Sequence, residues 1–111
     1  MEYQHQNLAN GSWRGFSLIE QLGNIGSEVG RSINWKNKGN TEQMQKALTR
    51  GLELFDLTLA DSRWRQPQLR EVARAREVVC DFLVGDNEYN SDDTFLNNYF
   101  LQFAIAARAK R

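Results

Sequence analysis

The chain has 111 residues, 41% of them hydrophobic and 25% charged, with 14 basic and 14 acidic side chains and a formal net charge of zero. That length supports one globular domain with a core that needs no disulfide or metal staple. The balanced charge excludes a global field drawing the protein to nucleic acid or an anionic membrane. With one Cys and one His, neither an internal disulfide nor a Cys/His zinc site can form.

The N-terminus, MEYQHQNLANGSWRG, is polar and lacks the basic-then-apolar order of a secretory signal, so residues 1–15 are read as an arm preceding a domain over 16–111. No apolar run is long enough to span a bilayer. A soluble cytoplasmic protein is the expectation.

A first helix is predicted from about Ser17 to Lys38, because Leu18, Leu22, Ile25, Val29 and Ile33 recur every three or four positions. Ser17 and Glu20 form a capping box and Gly39 follows as the stop. Gly23, Gly26 and Gly30 lie along a strip beside the apolar stripe. Each costs about 0.8 to 1 kcal/mol relative to Ala within a helix, so a close approach by a neighbouring helix or a second subunit is expected there.

The second helix spans about Thr41 to Ala60, capped by Asn40 with Gln43 three residues on, and carries Met44, Leu48, Leu52, Phe55 and Leu59 as its stripe. The segment INWKNKGNTEQMQKALTRGLELFD resembles a single tetratricopeptide unit in placing Trp35 before a Gly39-Asn40 turn and Leu48 and Gly51 after it. Met44 stands where that family has a small residue and the pattern does not repeat, so no solenoid is expected.

The third helix begins at Pro67, a residue tolerated in a first turn, and runs to Val84. Its approach and first turns, RWRQPQLREVARAR, hold Arg63, Arg65, Arg70, Arg74 and Arg76 with Trp64 between the first two. Basic residues beside an aromatic suit phosphate contact and base stacking, which makes Arg63, Trp64, Arg65, Arg70 and Arg74 a candidate nucleic-acid surface. Arg70 and Arg74, however, share a face with Glu77 and Asp81, where local pairing is expected. By helical phase Arg76 falls among Leu69, Val72, Val79 and Leu83 and points at the core. It therefore requires an acidic partner, with Asp56 the first choice and Asp61 and Glu28 the others.

The segment DNEYNSDD, residues 86–93, opens like a calcium loop at Asp86, Glu88 and Asn90. It then has Ser91 where the turn glycine belongs and Asn97 where the bidentate Glu belongs, so no metal is expected. Ser91 is read as the cap of a fourth helix from about Asp92 to Arg108, with Asp92 and Asp93 in its positive first turn. Asp86, Glu88 and Tyr89 are left for partner contact. In the fourth helix Phe95, Tyr99 and Phe103 read as core, whereas Leu101 and Ile105 lie on the opposite side and are expected to meet a partner.

No stretch alternates as a strand does. Four helices joined by short connections predict an all-α, up-and-down antiparallel four-helix bundle. The function expected is a non-enzymatic interaction module, a homodimer or the partner of another protein, with nucleic-acid binding as the alternative and no cofactor.

Overall fold

A computed structural model describes residues 11–109, and among them the chain is an up-and-down bundle of four helices with no strand. A 3-10 turn, Ser12–Gly15, precedes α1 (Leu18–Asn37), α2 (Thr41–Leu59), α3 (Gln66–Leu83) and α4 (Asp93–Ala109). Local chemistry sets most boundaries. Ser17 Oγ accepts from the Glu20 amide while the Glu20 carboxylate accepts from the Ser17 amide, closing the expected capping box. Gly39 sits at φ +76°, a conformation that lets the chain leave α1, and Asn40 Oδ1 caps α2 through the Gln43 amide. The fourth cap differs from expectation. It is Asp92 whose Oδ1 accepts from the Phe95 amide at 2.7 Å, whereas the Ser91 amide is held by Asn87 Oδ1 in the preceding loop.

The central element is α1, which packs closely on α2 and on α4, while α3 rides mainly on α2. The apolar stripes meet largely as predicted: Leu22, Ile25, Val29 and Ile33 of α1 bury against Met44, Leu48 and Phe55 of α2, Val72 and Val79 of α3, and Leu96 and Phe100 of α4, whereas Leu18, Leu52 and Leu59 are only partly buried and Leu54, outside the expected stripe, is in the core. The glycine strip is the seam between α1 and α4. A Cβ on Gly23 would lie 3.5 Å from the Ala104 backbone, and one on Gly26 only 2.6 Å from Phe100 Cβ. The close approach expected of the glycines is thus made by α4 of the same chain.

The end of the expected polar arm packs into the bundle. Trp13 is 2% exposed, and its indole N–H donates to Thr58 Oγ1 at 3.0 Å. Gln21, fully buried in α1, donates to the Trp13 carbonyl and to Asp61 Oδ2, and accepts from the Trp64 indole. These bonds join the 3-10 turn, α1, the end of α2 and the α2–α3 connection, and satisfy polar groups that burial would otherwise penalise. Residues 1–10 of the arm, with the terminal Lys110 and Arg111, lie outside the described residues.

Candidate interaction surface

The helices that flank the open side of the bundle are α3 and α4. Their backbones stay apart, and between them lies a cleft of about 240 Å³. Buried Ala75, Leu96 and Phe100 form its floor, half-buried Val78 and Tyr99 its sides, and exposed Glu71, Arg74 and Phe95 its rim. Phe95 was expected in the core with Tyr99 and Phe103. It is 58% exposed, because α3 does not come close enough to cover it. The Tyr99 hydroxyl donates to Glu71 Oε1 at 3.1 Å, and burial together with that carboxylate pushes the Tyr99 phenol well above its ordinary range. On the other flank of α4, Leu101 and Ile105 are 48% and 56% exposed, the outward position that their helical phase predicts.

Between α3 and α4, the 85–91 loop is organised by Asp81. Its carboxylate accepts from the Glu88 and Tyr89 amides at 2.8 and 3.0 Å, and its carbonyl from the Asn87 amide. Asn87 and Asn90 both take positive φ, which Asn tolerates better than most residues. The Asn87 side chain closes a ring with Ser91, accepting from its amide and donating to its carbonyl. Asp86, Glu88 and Tyr89 are exposed on this fixed turn. The Tyr89 hydroxyl donates to Glu77 Oε2, and the Arg74 guanidinium lies 5.8 Å from its ring centre. Among the described residues no group of three or more His, Cys, Asp or Glu side chains is placed to hold a metal ion.

Asp81 departs from its expected role. Its expected role was pairing with Arg70 or Arg74, yet among the described residues no ion pair joins either arginine to Asp81 or Glu77. The signal for its real role was an acidic residue in the last turn of α3 followed by a Gly and two Asn, a spacing that suits a side chain folding back onto loop amides.

The basic stretch divides. Arg63 is committed to the fold: it chelates both Asp61 oxygens, donates to the Phe16 carbonyl and stacks over Trp64 with 4.4 Å to the ring centre. Trp64 is tied in turn to Gln21. Arg65 and Arg70 project to solvent, and Arg74 rims the cleft. Arg76 does pair with Asp56, Nε to Oδ1 at 3.1 Å. The bridge is not buried, however, since the Asp56 side chain is 55% exposed. The other acids considered for Arg76 serve elsewhere: Glu28 binds Arg31 and Arg50, and Asp61 binds Arg63. Cys80 is half-buried, and desolvation raises its thiol pKa, the opposite of what activates a nucleophile.

No helix among the described residues is long and apolar enough to cross a membrane. No protein-family model, curated protein or solved structure matches the chain.

Proposed function

We propose that this protein is a small cytoplasmic interaction module that associates with a second copy of itself through residues 84–105. One observation carries the reading. The large apolar side chains left exposed among the described residues are Val84, Tyr89, Phe95, Leu101 and Ile105, and all fall in one loop and the helix that follows it. Single exposed apolar residues are ordinary on any surface, and it is their gathering on one turn and the two flanks of the helix after it that supports the reading. Gly23, Gly26 and Gly30 serve the α1–α4 crossing, so the surface offered to a partner reduces to the two flanks of α4 and the turn bearing Asp86, Glu88 and Tyr89. A single cysteine suits a reducing compartment.

Equilibrium sedimentation at micromolar concentration tests the reading. A dimer is expected, and Phe95→Glu on one flank, or Leu101→Glu or Ile105→Glu on the other, identifies which flank is covered. The responding substitution weakens association about tenfold or more by placing an unpaired charge in an apolar contact. A chain that remains monomeric throughout removes the proposal. Trp64 fluorescence titrated with single-stranded RNA is expected to stay flat. Quenching that fades as salt rises would move the function to Arg65, Arg70 and Arg74.

A further inference from the structure

We infer that the α3–α4 cleft is the self-docking face: each copy of the chain inserts its Phe95 into the other's cleft, with Arg74 of each opposite Glu71 of the other. The inference rests on the self-association proposed above and names the surface that performs it.

The chain carries both halves of such a contact. The cleft is apolar along its floor and sides and has about 240 Å³ free, and the aromatic ring on its lip is more exposed than covered. A knob and a hole on one surface are what a twofold interface requires, because every contact between the copies is made twice with the roles exchanged.

The rim charges select a second copy over another kind of partner. Glu71 and Arg74 stand three residues apart on α3, which puts them on neighbouring positions of one face, with opposite sign. When α3 meets its symmetry mate running the other way, arginine faces glutamate at both ends of the seam. A uniformly acidic or basic partner would satisfy one rim charge and be repelled by the other. Neither charge is neutralised by an ion pair among the described residues of its own chain: Glu71 accepts the Tyr99 hydroxyl, and Arg74 lies over the Tyr89 ring. Nor does the whole molecule resist self-association, since its formal charge is zero.

Charge exchange gives the test. Glu71→Arg and Arg74→Glu, made singly, each place like charges opposite one another, and sedimentation equilibrium at low salt should show association weakened about tenfold or more. The double variant E71R/R74E recreates the complementary pattern with signs reversed and should return the dimerisation constant to within about threefold of the native value. Loss of the Tyr99 bond is common to Glu71→Arg and the double variant, so it cancels between them. Phe95→Glu should dissociate the dimer, and because Phe95 is exposed, its far-ultraviolet circular dichroism should match the native chain.

Rescue by the double variant, together with sensitivity to Phe95→Glu, supports the inference. A dimer that survives Phe95→Glu and both single charge variants but yields to Leu101→Glu overturns the inference and leaves self-association standing. Failure of the double variant to recover above Glu71→Arg, which shares its loss of the Tyr99 bond, overturns it as well. A native chain that stays monomeric removes both.

Discussion

Three glycines a turn apart on one helix ask different things of the packing around them. At Gly26 a methyl group would stand 2.6 Å from Phe100 Cβ, an atom fixed to the α4 backbone and unable to swing away, so the helices would have to separate. At Gly30 the nearest atom is Asn97 Oδ1 at 3.8 Å, an ordinary contact. The same substitution should therefore change sign between the two sites. Gly30→Ala is expected to stabilise by up to about 1 kcal/mol through helix propensity alone. Gly26→Ala should gain the same amount and lose about 1 to 3 kcal/mol to overpacking, a net loss. Urea denaturation midpoints of the two variants distinguish the cases, and equal shifts would mean that the α1–α4 seam is looser than the packing around Phe100 implies. Helical phase found the strip, but only the tertiary arrangement shows which glycine is in contact. Arg76 teaches the same lesson, for its spacing put it beside core residues and its pairing with Asp56 followed, yet the bridge sits at the edge of the bundle where water reaches Asp56.

At the scale of elements, boundaries were legible where a single residue is competent to cap within the turn. The Ser17–Glu20 box, the Asn40 cap and the Gly39 stop all form as their residue types dictate. The start of α4 was misplaced by one residue because Ser91 and Asp92 are both competent caps: the Ser91 carbonyl is taken by the Asn87 side-chain amide, and it is the Asp92 carbonyl that accepts from the Leu96 amide. Asp92→Ala should accordingly destabilise the protein by about 1 kcal/mol, the usual cost of losing a side-chain cap. Ser91→Ala, which removes a buried hydroxyl that makes no cap bond, should cost less than Asp92→Ala. Thermal denaturation of the two variants measures the difference, and a larger loss at Ser91 would return the cap to it. The cleft was not legible at this scale. Periodicity puts Phe95, Tyr99 and Phe103 on one face of α4 but says nothing of how near α3 comes, and Phe95 is left uncovered by that distance.

For the whole molecule, the group with the widest reach is Asp61. It ends α2, receives Gln21 from α1, and orients Arg63, which bonds the Phe16 carbonyl beyond the 3-10 turn. Residue spacing presents Asp61 as no more than an alternative partner for Arg76, because the Gln21 it binds lies 40 residues away and no local pattern connects the two. The Arg63 guanidinium, the Arg63 amide and the Gln21 amide hold the carboxyl at about 2, against the opposing effect of burial. A pKa lowered on folding contributes stability that is complete above the unfolded value near 4 and disappears as pH falls from about 4 to about 2. With Asp61 only 2% exposed, the contribution is about 2 kcal/mol at neutral pH. Asp61→Asn keeps the shape of the side chain and removes the charge, so the variant should be less stable than the native protein by about that amount at neutral pH. The gap should close as the native carboxyl protonates and comes to resemble the amide. Urea midpoints of both proteins from neutral pH to pH about 2 follow this convergence, and other carboxyls that titrate alike in both cancel in the difference. A gap that stays constant to the lowest pH would mean that Asp61 holds the segments together by shape and not by charge.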